Sequence, residues 1–241
     1  MNKNSFENIN SISIIIPAYN EGQRIGDSLT KIIEYMEQKD FAWELIVVDD
    51  ASTDNTVSIV RNLVPNQNLK IIINDTNLGK GASIKKGMLE AQGDILLFTD
   101  ADLSAPIEEF DKFIDEFKNG YDVVIGSRAL PESCLEIHQP IYREKMGKIF
   151  NFFVQAIVIK GIKDTQCGFK AFTKKCAYDI FSKQRLKRFS FDVEILFLAK
   201  HHGYKIKEVP VKWINSPASK VNAVKDSLIM FFDLFRIRFG I

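Results

Sequence analysis

One short apolar run, which ends abruptly in two carboxylates, constrains this chain more than any other stretch. Gly93 and Pro106 bound the run, and residues 95–99 at its centre are suited to a protein core. A short continuous apolar run of this kind predicts a strand buried on both faces, as in a parallel sheet. Asp100 and Asp102 follow at its carboxyl end, where open α/β sheets place their ligands. We therefore expect a ligand site at this strand end.

The two carboxylates have two interpretations. If the strand persists through Asp102, both side chains face one spot, because residues two apart in a strand share a face. Two ionised carboxylates about 4 Å apart repel by about 4 kcal/mol at an effective dielectric of about 20, and a divalent cation removes that cost. Oxygen ligands without a nearby Cys or His suit Mg²⁺ or Mn²⁺, ions that hold nucleotide phosphates. Alternatively, Asp102 caps the helix that opens near Pro106, and Asp100 only terminates the strand.

Composition excludes several classes of protein. The 241 residues suffice for one large domain, and 32 Lys and Arg against 31 Asp and Glu give no bulk charge for nucleic acid. The three cysteines form no C-x-x-C pair, which favours a reducing compartment over a disulfide framework. The polar N-terminus has no secretory signal, and no apolar run reaches the roughly 18 residues of a transmembrane helix. We expect a cytoplasmic protein whose membrane contact, if any, is peripheral.

The first half of the chain alternates strands and helices. Strands are predicted at 11–17, 43–50, 69–73, 95–99 and 122–128, and helices at 24–38, after 51–56, at 80–92 and at 107–118. This alternation predicts βαβ crossovers in a mostly parallel, doubly wound α/β sheet flanked by helices. The first strand-to-helix turn lacks G-x-G-x-x-G, and residues 78–83 lack the first glycine and the hydroxyl of a Walker A loop. A Rossmann dehydrogenase and a P-loop NTPase are therefore excluded.

The regular alternation ends near residue 130. We predict a loop at 131–140, helices at 141–160, 174–181, 191–202 and 220–239, a strand at 205–214, and a return of residues 164–172 to the sheet edge. The helices at 141–160 and 220–239 are rich in Phe and apolar over more than one face. Such helices lie in a membrane interface, or they pack on the sheet or a second subunit. Both alternatives stay open.

Five motifs, taken in order, carry a resemblance to a known family. They are IPAYNE at 16–21, VVDDASTD at 47–54, NLGKG at 77–81, TDAD at 99–102 and GSR at 126–128. As a set they closely resemble glycosyltransferase family 2, which has the GT-A fold. Residues 164–170 and 191–194 look like its branch of dolichyl-phosphate glucosyltransferases and mannosyltransferases. The resemblance implies a single GT-A domain over residues 1–241, with a nucleotide-sugar-binding half at about 11–128 and an acceptor-binding half at about 129–241 that ends in an amphipathic helix.

The resemblance also implies an activity and a set of site residues. The activity is inverting transfer of a sugar from a nucleotide diphosphate to a polyprenyl phosphate, and residues 164–169 favour glucose from UDP-glucose. The implied metal ligands for Mg²⁺ or Mn²⁺ are Asp100 and Asp102, and the implied catalytic residues are Asp102, Arg128, Arg143 and Asp192. The implied substrate-binding residues are Pro17, Ala18, Tyr19, Glu21, Asp50, Lys80, Asp100, Ala101, Gly126, Ser127 and Lys220. A lipid acceptor also implies peripheral binding to the cytoplasmic face of a membrane.

The acceptor decides which chemistry is needed. A sugar hydroxyl must lose a proton, whereas a phosphate monoester with a second pKa of about 6 is already largely dianionic and needs cations such as Arg128, Arg143 and Lys220. In hydroxyl-accepting members of the family, a carboxylate near the corresponding helix start is the base. Asp192 or Glu194 therefore keeps a glycan or glycolipid acceptor open, and Asp192 alternatively caps its helix. A catalytically silent nucleotide-sugar-binding module is a third interpretation.

Overall fold

Our computed structural model describes residues 9–63, 67–137, 141–214 and 223–240, including their side chains except those of 137, 141–145 and 223–225. The strands are β1 (Ser11–Ala18), β2 (Ala42–Asp49), β3 (Leu69–Ile73), β4 (Ile95–Thr99), β5 (Val123–Ser127), β6 (Cys134–Ile137), β7 (Phe169–Thr173), β8 (Ile206–Pro210) and β9 (Lys212–Ile214). The helices are α1 (Ile25–Glu37), α2 (Thr56–Asn62), α3 (Lys80–Glu90), α4 (Phe110–Lys118), α5 (Ile141–Ile157), α6 (Lys174–Lys183), α7 (Phe191–His201) and α8 (Ala223–Phe239).

A seven-stranded sheet in the order β3-β2-β1-β4-β7-β5-β8 forms the centre of the fold. Its neighbouring strands are parallel except for β7, which runs antiparallel to both β4 and β5. β6 and β9 form a separate parallel pair. The expected mostly parallel, doubly wound α/β sheet is therefore confirmed. Its parallel strands β1, β2, β4 and β5 all end at the same edge, where ligands of such sheets bind.

The central strand β4 is buried on both faces, as its apolar run predicts. Successive residues of a strand point to opposite faces. Leu97 therefore joins one core cluster with Phe113 of α4, and Phe98 joins a second cluster with Phe191 of α7. Burial of each such side chain stabilises the fold by about 1.5–3 kcal/mol. Helices on both faces thus fix the position of the strand end that carries Asp100.

The expected position of residues 164–172 is wrong. They do not return to the sheet edge, because β7 lies in the interior of the sheet between β4 and β5. The charged residue Lys170 in this stretch is typical of a partly exposed edge strand, which is why the sequence predicts an edge position. The side chain of Lys170 is completely buried, however, and its charge is paired inside the protein.

Two further predictions about the second half are corrected. The loop predicted at 131–140 contains β6, and the strand predicted at 205–214 divides into β8 and β9. β8 pairs with β5, whereas β9 leaves the main sheet and pairs with β6. The division follows Pro210, which has no N–H to continue the ladder. In the first half, the helix predicted at 107–118 begins as a 3-10 turn, Ile107–Glu109, before α4.

Candidate active site

Two loops that follow β1 and β2 form one wall of the site. Pro17 and Ala18 complete β1, and the N–H of Asp50, after β2, donates to the Ala18 carbonyl at 2.8 Å. Asn20, with a φ of 52°, donates its N–H to Ser52 Oγ at 2.8 Å. Tyr19 and Glu21, on either side of Asn20, are predicted to meet the nucleotide. The side chain of Tyr19 is 39% exposed.

The carboxylate of Asp50 anchors the loop between β3 and α3. Oδ1 accepts the N–H of Leu78 at 2.8 Å and the side-chain amide of Asn74 at 2.9 Å, and Oδ2 accepts the N–H of Gly79 at 2.8 Å. Gly79 has a φ of 98°, a left-handed conformation that favours glycine. The predicted contact of Asp50 with the nucleoside stays a prediction. What the structure shows is that Asp50 fixes the start of α3, where Lys80 is the first residue.

Asp100 and Lys80 form an ion pair directly above the end of β4. Lys80 Nζ lies 2.5 Å from Asp100 Oδ1. The loop before β7 also approaches this carboxylate, since a Cβ on Gly168 would lie 2.1 Å from Asp100 Oδ2. Burial acts to lower the pKa of Lys80, but Asp100, Asp192 and Asp102 together raise it above its usual value. A protein cation is therefore held against the first carboxylate of the pair.

A second protein cation, Arg24, lies against Asp102. Arg24 Nη1 is 3.4 Å from Asp102 Oδ2, and the same guanidinium binds the Glu21 carboxylate through Nε and, at 3.0 Å, through Nη2. The hydrogen bond to Glu21 raises the Arg24 pKa against the effect of burial, with smaller contributions from Asp102 and Asp100. Both carboxylates of the pair thus act on the same two cations. The structure brings them to one spot.

The route by which the two carboxylates meet differs from the predicted one. β4 ends at Thr99, Ala101 and Asp102 form a turn, and Leu103 has a φ of 46°. A continued strand is therefore not what aligns them. Asp102 Oδ1 also accepts the N–H of Ser104 at 3.0 Å, so the carboxylate caps this turn rather than the helix beyond Pro106.

Arg128, after β5, is fixed by a carboxylate and an indole ring. Its Nε and Nη2 donate to the two oxygens of Asp164 at 2.7 and 2.9 Å. The guanidinium carbon also lies 4.7 Å from the centre of the Trp213 ring. Burial acts to raise the pKa of Asp164, but Arg128 outweighs that effect and lowers it to about 2. Both partners stay charged at neutral pH.

Asp192 is held by a buried lysine. Lys170 Nζ, on β7, donates to Asp192 Oδ1 and to the Cys167 carbonyl. Burial raises the pKa of the Asp192 carboxyl, and Lys170 and Lys80 act in the opposite direction. The N-cap of α7 is Ser190, so Asp192 does not occupy the capping position, although it lies in the first turn of the helix.

Glu194 has a structural role that its sequence position does not reveal. Its two oxygens accept the N–H groups of Arg185 and Leu186 at 2.9 and 2.8 Å. The same loop covers the start of α3, because the Lys187 carbonyl accepts the N–H of Ala82 at 3.0 Å. A Cβ on Gly81 would lie 2.7 Å from Phe191 Cβ, so this contact needs glycine. Glu194 thereby helps to keep α3 and its Lys80 in place.

Several predicted residues are buried, and two lie beyond the described side chains. Ala101 is 5% exposed and Ser127 is fully buried, and a Cβ on Gly126 would lie 3.0 Å from Val211 and 3.1 Å from Cys167. Their substrate contacts stay predictions. Arg143 lies in α5, but its side chain is outside the described residues, as is the whole of Lys220.

Sequence reasoning did not assign functions to five residues that shape this site. They are Arg24, Asp164, Gly168, Lys170 and Trp213. A charged residue inside the apolar stretch 169–172 was a usable signal for Lys170, since a lysine in a buried strand requires a partner. Asp164 and Gly168 fall within the motif at 164–170. Arg24 and Trp213 carry no such local signal, because their partners are distant in sequence.

Within the described parts of the chain, no group of three or more His, Cys, Asp or Glu side chains is arranged to hold a metal ion. Asp100 and Asp102 would therefore supply a metal ion with two carboxylates and not with a complete set of protein ligands. This fits Mg²⁺ or Mn²⁺, which bind through one or two carboxylates together with substrate phosphates and waters. That two carboxylates attract two protein cations shows that the spot accepts positive charge.

Comparisons with known proteins identify the family of this chain. The family model described as Glycosyl transferase family 2 matches residues 13–181. The chain is 38% identical to dolichyl-phosphate β-glucosyltransferase of Dictyostelium discoideum, over 99% of this chain and 76% of the relative. It is 32% identical to the protein of that description from Homo sapiens, over 94% of this chain and 74% of the relative. The expected family is confirmed.

Solved structures show the same fold. Mycobacterium tuberculosis glucosyl-3-phosphoglycerate synthase, in complex with Mn²⁺, UDP and glucosyl-3-phosphoglycerate, matches with a TM-score of 0.67 and 18% identity. The match covers 96% of this chain and 79% of the synthase. The expected GT-A fold is therefore confirmed as well.

Proposed function

Because this chain belongs to glycosyl transferase family 2, we propose that it transfers glucose from UDP-glucose to a polyprenyl phosphate, such as dolichyl or undecaprenyl phosphate, with inversion at the anomeric carbon. The likeness to dolichyl-phosphate β-glucosyltransferases over nearly the whole chain is the observation that carries this proposal. The protein is then a hexosyltransferase with a nucleotide-sugar donor and a lipid phosphate acceptor.

The donor occupies the edge where β1, β2 and β4 end. Pro17, Ala18, Tyr19 and Glu21 border the base and ribose, which the exposure of the Tyr19 ring supports. Lys80 meets the diphosphate, since it is the first residue of α3, and a helix N-terminus favours an anion. Asp50 contributes by fixing the loop that carries Lys80.

Asp100 and Asp102 hold Mg²⁺ or Mn²⁺ in this proposal. Two carboxylates without nitrogen or sulfur ligands, at a spot that already attracts cations, support these hard ions. When bound, the ion supplies Lewis-acid stabilisation of the charge that grows on the leaving diphosphate.

The acceptor phosphate is the nucleophile. One of its oxygens forms a bond to the anomeric carbon while the bond between that carbon and the diphosphate oxygen breaks. No proton moves, because the phosphate is already a dianion near neutral pH. The protein must then hold an anion close to another anion, and Arg128 is prepared for this by Asp164 and Trp213. Arg143 and Lys220 are proposed to assist Arg128. With this acceptor, Asp192 need not act as a base.

Peripheral binding to the cytoplasmic face of a membrane completes the proposal. One face of α8 packs inward through Met230, Leu234 and Ile237. The opposite face exposes a stripe at helical spacing, and α5 adds two exposed side chains beside it. We call this set the apolar patch; it consists of Leu228, Phe232, Phe235, Phe239, Ile149 and Phe152. Phe153 of α5 and Phe231 of α8, with ring centres 5.1 Å apart, join the two helices.

These opposite faces of α8 bear on the two alternatives for the last helix, which are packing on the protein and contact with a membrane. Packing within the chain is present along the side of α8 that carries Met230, Leu234 and Ile237, and Phe231 adds a contact with α5. Among the helices that the structure describes, none combines the length and apolar character needed to cross a membrane. Exposed Phe side chains of this kind insert among acyl chains, with Arg238 suited to anionic headgroups.

A transfer assay tests the proposed activity. The full chain, UDP-glucose, Mg²⁺ or Mn²⁺ and a polyprenyl phosphate are expected to yield lipid-linked glucose as a phosphodiester. The matched control is the same lipid as the free alcohol, which is expected to give no product. Product from the alcohol alone would favour a hydroxyl acceptor. UDP binding without turnover on any common sugar nucleotide would favour a silent binding module.

A further inference from the structure

Lys80 holds the carboxylate oxygen that a metal ion would need. Its Nζ is 2.5 Å from Asp100 Oδ1, within hydrogen-bond distance, so a divalent cation bound to the same oxygen would be repelled by the ammonium. The other oxygen, Oδ2, faces Gly168, where an added Cβ would lie 2.1 Å away. The oxygen on the less crowded side of Asp100 is therefore the one bound to Lys80.

Asp192 is a second carboxylate that acts on Lys80, since its charge, like that of Asp100, favours the protonated lysine and raises its pKa. Lys170 bonds one oxygen of Asp192, and a carboxylate offers several acceptor sites. An ammonium on a flexible four-carbon stem can therefore leave Asp100 without becoming an isolated charge.

We propose that Lys80 is a built-in cation at the metal position, and that a divalent ion displaces it from Asp100 toward the donor diphosphate. This inference rests on the proposed function, because it assumes a metal and a nucleotide donor at this site. The inference adds a sequence of steps to that function. The metal binds Asp100 first, and Lys80, released from Asp100, then binds the diphosphate. Metal and diphosphate then bind cooperatively, since the ammonium freed by one becomes a ligand for the other.

Arg24, the other cation beside the carboxylate pair, is not assigned this role, because its contacts differ from those of Lys80. Arg24 keeps two hydrogen bonds to Glu21 and lies at the longer distance of 3.4 Å from Asp102. Its guanidinium is therefore fixed mainly by Glu21. The Arg24 nitrogen nearest Asp102 Oδ2 is 3.4 Å away, whereas Lys80 Nζ is 2.5 Å from Asp100 Oδ1, so a metal at Asp100 competes with the shorter ion pair.

Mn²⁺ binding to the full chain without nucleotide tests the inference. Electron paramagnetic resonance of free Mn²⁺ gives the Kd. Lys80→Met is expected to bind Mn²⁺ about three- to fivefold more tightly than wild type, because the competing cation is gone. Lys80→Arg restores a cation and is expected to keep a Kd near wild type. Lys85→Met is the matched control, since it removes a charge from the same helix, and Lys85 Nζ donates to the carbonyl oxygens of Ser182 and Gln184.

A second measurement addresses the cooperativity. Calorimetry of UDP with and without Mn²⁺ is expected to show that Mn²⁺ tightens UDP binding more in wild type than in Lys80→Met. Circular dichroism establishes that both variants fold. Mn²⁺ affinity in Lys80→Met that equals or falls below that of Lys85→Met would overturn the inference. If Lys80→Met does bind Mn²⁺ more tightly while no glucosyl transfer is found, the proposed function fails and the displacement of Lys80 stands.

Discussion

The guanidinium of Arg128 and the carboxylate of Asp164 form a bidentate ion pair, although the two residues are 36 positions apart in sequence. The backbone N–H of Arg128 also donates to Asp164 Oδ2 at 2.9 Å, so both the side chain and the backbone are held. A guanidinium has more donors than Asp164 uses. The pair therefore orients Arg128 and leaves it donors for a phosphate.

Asp164→Asn is expected to lower the free energy of unfolding by about 2 kcal/mol at pH 7, because the carboxylate pKa falls from 3.8 in the unfolded chain to about 2 in the fold. A depressed pKa contributes stability above the unfolded value and loses it as pH falls. The difference in free energy of unfolding between wild type and Asp164→Asn should therefore narrow from about pH 4 toward about pH 2. Urea unfolding at several pH values measures this difference. Asp115→Asn, in an exposed ion pair, is the control, and a gap that stays constant down to pH 3 would contradict the prediction.

Asp100→Asn and Asp102→Asn are expected to lower glucosyl transfer by at least about 100-fold. Each carboxylate pairs with a partly exposed cation, so the free energy of unfolding should change by less than about 1 kcal/mol. Transfer rates and urea midpoints measure the two effects. Asp75→Asn, an exposed carboxylate after β3, is the control. Loss of several kcal/mol in both variants would show that the pair is structural.

Lys170→Met is expected to lower the free energy of unfolding by about 3–5 kcal/mol, because it leaves a buried carboxylate without its partner. Lys170→Met combined with Asp192→Leu should recover most of that loss, since both buried charges are then gone. Urea unfolding of the single and double variants measures the recovery. A double variant as unstable as the single one would indicate that packing, rather than the unpaired charge, causes the loss.

The strands and the carboxylate pair were predictable because their signals are local. An apolar run with a Gly and a Pro at its ends identifies β4, and motif spacing identifies Asp100 and Asp102. The central position of β7 was not predictable in this way, because strand order depends on partners far along the chain. Lys170 shows the reason: its pairing with Asp192, 22 residues away, is what allows a lysine in the sheet interior.

The same limit applies to the cations of the site. Lys80 lies in a glycine-bounded motif, which indicates an anion, but its contact with Asp100 is a tertiary one. Arg24 is a single basic residue in a helix-opening segment, and nothing local distinguishes it from a solvated surface residue. Residue types at strand ends thus indicate the kind of chemistry, whereas the pairing among them requires the fold.

Asp192→Asn separates the two classes of acceptor. A phosphate acceptor needs no base, so transfer to polyprenyl phosphate is expected to fall by less than about tenfold, whereas loss of a general base costs about 100-fold or more. Asn keeps an oxygen that Lys170 can bond but leaves this buried ammonium without a counter-charge, so urea unfolding of the variant is measured beside its activity. The ratio kcat/KM and its pH profile measure the outcome. A loss above about 100-fold that removes a basic limb from the pH profile would favour a hydroxyl acceptor.

The apolar patch predicts binding to anionic vesicles. Phe232→Ser and Phe239→Ser are expected to weaken vesicle binding by roughly tenfold each. Each change removes an exposed aromatic side chain that would move from water into the membrane interface. Phe231 is unsuitable for this test, since its ring packs on Phe153 and its loss would disturb the fold. Sedimentation with vesicles at low and high salt measures the effect, and salt should weaken the part contributed by cations. Ile73→Ser is the matched control, because Ile73 is similarly apolar and 40% exposed but lies on the edge strand β3. Wild-type protein that stays entirely in the supernatant at low salt would show that this face does not bind lipid.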